Sequence, residues 1–133
     1  RRILDETPET LSRCQQIITL LLGFAEKNPG LSRLLGGDAL TGETARLRLR
    51  IHQLFERLET QLKQILREAE LSERRRPRVS ASASANLLMV HVEGQISQYV
   101  RSDFKRRPTE FWDDQWTLLA ERLLVDVPEL ARA

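Results

Sequence analysis

His52, His91 and Cys14 are the side chains in this sequence best suited to metal binding, proton transfer or nucleophilic attack. A zinc or di-iron centre draws on three or four His, Cys or carboxylate ligands, often through a Glu-x-x-His pair, and no such set is spaced for it here. His91 and Glu93 stand two residues apart, so on a helix they diverge. His52 falls on the polar side of its segment and reads as a surface residue. Cys14 is bracketed by Leu11 and Ile18 on an apolar face, where a thiol acts as a small core filler. Neither a glycine-rich phosphate loop nor a nucleophile elbow is present. The expectation is a protein that is not an enzyme and uses no cofactor and no metal.

The remaining chemistry-bearing run is Arg74-Arg75-Arg76-Pro77-Arg78. Each arginine could neutralise a phosphate. Proline, a like-charge run and the Ser/Ala alternation that follows, Ser72 to Ser84, read first as an exposed, solvated loop. No helix-turn-helix spacing accompanies it, because the helices are too long and apolar to be a recognition unit.

Composition narrows the class further. At 133 residues the default is one domain, residues 1–133, and 41% apolar content against 30% charged supports a packed core. A net charge of +2 creates no whole-domain basic field. A single cysteine cannot form an intrachain disulfide, which fits a reducing compartment. No apolar run reaches the ~18 residues of a membrane span, so a soluble, cytoplasmic protein without a membrane partner is expected. The opening Arg1-Arg2-Ile3-Leu4-Asp5 reads like the last turns of a helix already under way, as in the downstream part of a longer protein.

The elements that must position any site are helical. Thr7 is the expected N-cap of a first helix, with Pro8 at its first position. Leu11, Cys14, Ile18, Leu21, Leu22 and Ala25 recur at helical spacing, and Ile17, Leu20 and Phe24 form an adjoining apolar face. This helix ends near Asn28, since a residue before proline avoids the helical region. A short apolar run, Leu31 to Leu35, leads to a Gly36-Gly37 break. The longest helix spans about Glu43 to Leu71, starting after Thr41 or Gly42. Its stripe is Leu47, Ile51, Leu54, Leu58, Leu62, Ile65 and Ala69. Another helix is predicted from about Ser84 to Lys105. It has one stripe of Met89, Val92, Ile96, Tyr99 and Val100 and a second of Leu87, Val90, Gly94, Ser97 and Arg101. The last helix starts at Pro108-Thr109-Glu110 with Thr109 as N-cap, is lined by Phe111, Trp112, Trp116, Leu119, Leu123 and Leu124, and stops at Pro128. No segment has a strand period. The fold class is all-α.

Two glycines suggest binding rather than chemistry. Gly94 sits mid-helix, where glycine costs ~0.8–1 kcal/mol relative to alanine, and close approach of a second helix is the commonest gain that offsets it. The last two helices carry more apolar face than one layer buries, so self-association is expected through Leu87, Val90, Gly94, Ser97, Arg101, Trp112, Trp116, Leu119 and Leu123. The alternative is an irregularity of intrachain packing. Gly23, beside Leu20 and one turn before Glu26-Lys27-Asn28, leaves a shallow apolar slot rimmed by a cation and an amide. Such a slot suits a short acidic–apolar peptide, or else Gly23 simply packs against the long helix.

Three blocks bear a family resemblance: Leu21 to Leu31 with its Asn28-Pro29-Gly30 corner, Leu54 to Glu68, and Tyr99 to Thr109. In this order, and from about Ile3 to Leu124, the chain resembles the C-terminal domain of the TetR-family nucleoid occlusion factors. The resemblance implies a homodimer pairing through a four-helix bundle of its last two helices, and an N-terminal helix-turn-helix domain outside this chain that binds palindromic DNA. It also implies a nucleoid-associated regulator that contacts the C-terminal tail of the tubulin-like division GTPase FtsZ and antagonises its polymers over the nucleoid. The implied contact surface includes Leu20, Gly23, Lys27 and Asn28. The cationic corner position is normally arginine in that family, and Lys27 keeps the charge but lacks the planar fork. The loop Ser72 to Ala85 departs from the family pattern.

The competing expectation is a small-molecule-sensing repressor domain, with Phe24, Leu47, Ile51, Phe55 and Met89 around an internal pocket. A contiguous cavity of roughly 300 Å³ or more would favour it, and a filled core would favour protein recognition.

Overall fold

Five helices and two short strands build the part of the chain that the computed structural model describes, residues 9–35 and 43–127. In order they are α1 (Thr10–Glu26), α2 (Pro29–Leu35), α3 (Glu43–Glu73), β1 (Arg75–Pro77), α4 (Ala81–Arg101), α5 (Trp112–Leu123) and β2 (Leu124–Asp126). The expected caps and breaks at Thr7 and Pro8, Gly36-Gly37, Thr41 or Gly42, and Pro128 lie outside the described residues.

Helical periodicity decides which faces meet. Cys14, Ile18, Leu22 and Ala25 of α1 close on Leu62, Ile65, Leu66 and Ala69 of α3 and on Leu88, Met89, Val92 and Ile96 of α4. All are buried, and each large aliphatic contributes about 1.5–3 kcal/mol on leaving water. The thiol of Cys14 is pushed up to about 12, first by burial, so it stays protonated inside the core.

α1 and α3 run in opposite directions. The carboxylate of Glu73, at the end of α3, accepts the backbone N–H of Thr10, at the start of α1, and satisfies an otherwise orphaned donor there. With 17 and 31 residues, the two helices measure about 26 and 46 Å. α1 therefore covers only the second half of α3. Leu62, Ile65 and Ala69 are buried, Phe55 and Leu58 lean on the core, and Leu47 and Leu54 remain exposed although they continue the same stripe.

Five expectations need correction. A small antiparallel sheet pairs β1 with β2, Arg75 opposite Asp126 and Pro77 opposite Leu124. Three-residue strands joined across the chain leave no period to read. α4 begins at Ala81, because Ser80 accepts the Ala83 N–H at 3.0 Å and acts as its cap. It ends at Arg101, since Asp103 and Phe104 turn left-handed with φ of 59° and 64°. α5 begins at Trp112 rather than beside Thr109, whose hydroxyl donates to the Glu26 carboxylate instead of capping. It ends at Leu123, where the chain enters β2. No helix among the described residues is long and apolar enough to cross a membrane.

Candidate functional site

The end of α1 is the most heavily braced corner of the fold. A helix leaves its last four carbonyls without intrahelical partners, and here each is taken. Gly23 O accepts the Lys27 N–H at 3.2 Å, and Phe24 O accepts Nδ2 of Asn28 at 2.7 Å. Ala25 O receives both the Asn28 N–H at 3.1 Å and the buried Ser32 hydroxyl at 2.7 Å. Glu26 O receives the Tyr99 hydroxyl at 2.7 Å, from α4. The Glu26 carboxylate accepts the hydroxyl of Thr109, so the segment before α5 is tied to the same turn. One helical turn back, Nε1 of Trp112 donates to Oγ1 of Thr19 at 2.7 Å.

Beside this corner the second apolar face of α1 has no cover. Leu20 is 62% exposed and Phe24 53% exposed. Together with Ile17, Leu21 and Gly23 they form one wall of an open groove of about 590 Å³, whose other wall is Leu58 and Gln61 of α3. Lys27 stands at its rim. A Cβ built on Gly23 meets no heavy atom within 4 Å, so nothing inside the chain requires glycine there. Leu20, Gly23 and Lys27 are thus brought together. Asn28 is not on the groove wall, and its amide nitrogen is committed to Phe24 O.

The five residues expected around an internal pocket do not converge. Only Phe24 reaches the groove. Met89 is sealed in the core and Phe55 packs against it, while Leu47 is exposed on the uncovered half of α3 and Ile51 is half-buried there. Period alone placed them on inward faces, but α1 is too short to roof the first half of α3.

The outer face of α4 is a second open surface. Leu87, Val90, Gly94, Ser97 and Arg101 form a continuous exposed stripe, and a Cβ on Gly94 also meets nothing within 4 Å. Glu93 flanks it, its carboxyl held above the usual range by burial and then by Glu59 and Glu56. On α5 the expected interface residues point elsewhere. Trp112, Trp116 and Leu123 are core residues and Leu119 is half-buried against them. Their spacing of four, three and four defines one inward stripe. The outward apolar residues are Phe111, 59% exposed, which the sequence pattern grouped with the inward residues, and Leu118, 68% exposed, which it did not pick out. Between the helices the His91 ring lies 5.1 Å from that of Trp112, its Nε2 buried without a partner, and burial lowers its pKa.

Among the described residues no group of three or more His, Cys, Asp or Glu could hold a metal ion. What the described residues offer is two open apolar surfaces, the groove beside α1 and the outer face of α4.

Comparison with known proteins fits such surfaces. The chain is 52% identical over 125 residues to the Nucleoid occlusion factor SlmA of Marinomonas sp. (strain MWYL1), covering 94% of this chain and 64% of that protein. It is 53% identical over 122 residues to the Nucleoid occlusion factor SlmA of Shewanella halifaxensis (strain HAW-EB4), covering 92% and 62%. The chain therefore spans less than two thirds of the length of these relatives. The family model described as "Tetracyclin repressor-like, C-terminal domain" matches residues 8–124, and this all-helical chain with its braced corner belongs to that SlmA-like family.

Proposed function

We propose that residues 1–133 form the dimerisation and partner-binding domain of a DNA-binding, nucleoid-associated occlusion factor. Its α1 groove takes the C-terminal tail of the division GTPase FtsZ, and DNA is bound through a separate N-terminal domain. The reading rests on the relatives' name and on one observation above others: an apolar groove open at Leu20 and Phe24, with Gly23 on its wall and Lys27 at its rim. A short peptide would lay apolar side chains along Leu20 and Gly23 and set a carboxylate against Lys27. The exposed α4 stripe, together with the exposed Phe111 and Leu118, is the pairing face for a second copy.

The groove is large enough for a small ligand, which is the competing sensor function. Drug-sized ligands, however, are usually buried over roughly 70–90% of their surface, whereas this hollow lies along an outer helix face and the core beneath it is filled.

The deciding experiment is titration of a fluorescent tail peptide with the protein and with Gly23→Trp. Gly23 lines the groove and a Cβ there meets no heavy atom within 4 Å, so the added side chain starts on the groove side. Peptide binding is expected to disappear while sedimentation shows an unchanged assembly state. Equal affinity in both proteins would remove the groove from the function.

A further inference from the structure

The segment that follows α3 builds a second hollow, at the opposite end of α1 from the braced corner. An open cavity of about 350 Å³ lies between the last turns of α3, strand β1 and the start of α4. Its lining includes Arg67, Glu70, Arg76, Pro77, Arg78 and Val79.

The sheet pairing decides which arginines are left to face it. The run Arg76 to Val79 borders the cavity as the chain leaves β1, while Arg75 is drawn off toward Asp126, Nε to Oδ1 3.5 Å. The sheet with β2 holds this register, reinforced by the Arg78 N–H to Leu123 O at 2.9 Å. Arg78 also donates through Nε to Arg122 O at 3.3 Å, which leaves its terminal nitrogens uncommitted. Arg67 approaches from α3. Neither the Arg67 nor the Arg76 side chain has an ion pair or hydrogen bond with a described residue. Three guanidinium groups thus line one hollow with a single carboxylate, Glu70, among them.

Like charges gathered around one hollow repel one another, and a bound anion offsets that cost. Guanidinium forks match the tetrahedral oxygens of a phosphate, two parallel N–H···O bonds at a time. We propose that this cavity binds the phosphate groups of a small phosphorylated molecule, with Arg67, Arg76 and Arg78 as its ligands and Glu70 limiting its affinity. The volume accommodates a diphosphate, and Pro77 and Val79 provide an apolar edge on which a nucleoside can rest. The site is independent of the peptide groove, shares no residue with it, and stands whether or not that groove binds a tail.

The test is an NMR titration of the 133-residue chain with pyrophosphate, and separately with ADP, at constant ionic strength. Saturable shifts are expected at the Arg67, Arg76 and Arg78 side-chain N–H groups. Charge-assisted bonds of this kind predict that Arg67→Ala with Arg76→Ala weakens binding by about tenfold or more, and that Glu70→Gln strengthens it by roughly threefold. Arg46→Ala with Arg50→Ala removes the same charge from the far half of α3 and should leave binding unchanged. ADP binding tighter than pyrophosphate assigns the Pro77–Val79 edge to a nucleoside, and equal binding assigns the site to the phosphate groups alone. Shifts that never saturate, or an equal loss in the Arg46/Arg50 control, would reduce the cavity to a surface charge and overturn the proposal.

Discussion

The hydroxyl of Tyr99 donates to the backbone carbonyl of Glu26 at 2.7 Å, joining two residues 73 positions apart. Tyr99 is buried and its ring also meets Phe104 edge-on at 5.1 Å, so one side chain fixes both the end of α1 and the left-handed turn after α4. Tyr99→Phe keeps the ring contact and removes the bond. The expected loss is about 1 kcal/mol, seen as a lower urea midpoint with an unchanged slope.

Gly94 separates fold stability from pairing. Its missing side chain faces open space within the chain, so Gly94→Ala should raise the stability of the isolated fold by ~0.8–1 kcal/mol through helix propensity. If α4 is the pairing face, the same methyl holds two helices apart and weakens the dimer. Denaturation at low concentration and sedimentation equilibrium read the two effects separately. A more stable fold with undiminished pairing would place the interface elsewhere.

On α5, Trp116 and Leu118 point to opposite sides, and their variants should fail in different ways. Trp116→Ala empties a core site and is expected to cost about 3–5 kcal/mol. Leu118→Glu alters an exposed position, so the single chain's stability should stay within about 0.5 kcal/mol while the assembly shifts toward monomer. Calorimetry and light scattering on the pair distinguish packing from pairing.

His91 should make the fold acid-sensitive. Burial lowers its pKa below the ordinary 6.5, so as pH falls the unfolded chain takes up the proton before the folded one does. Stability is therefore full above about pH 6.5 and declines below it, until the folded imidazole also protonates. His91→Phe keeps a ring against Trp112 and abolishes this titration. The melting temperature of the variant should fall less between pH 7 and pH 5 than that of the parent.

Much of this organisation is legible in the sequence because helices announce themselves through local spacing. The α3 stripe from Leu47 to Ala69 gave the element, and the two α4 stripes separated correctly into a buried Met89 set and an exposed Gly94 set. What the stripes could not give is the length of the neighbour, and so Leu47 and Leu54 are bare although Leu62 and Ile65 are buried. Thr109 looks like a cap locally, but a carboxylate 83 positions away claims its hydroxyl. β1 and β2 are likewise products of distant pairing. At the candidate sites, Leu20, Gly23 and Lys27 were readable as a slot. Leu118 was hidden behind the tryptophan stripe, and Phe111 was named with that stripe although it faces outward.

The capped carbonyls at the end of α1 set the thermodynamics of anything that settles beside them. With Gly23, Phe24, Ala25 and Glu26 each already bonded, the backbone of the wall has little freedom left to surrender, and apart from side chains such as Leu20 and Phe24 the ordering penalty falls on the visiting chain. Stiffening the visitor in its bound shape, by a proline or a lactam staple, should then tighten the complex chiefly through entropy, with the measured heat scarcely altered.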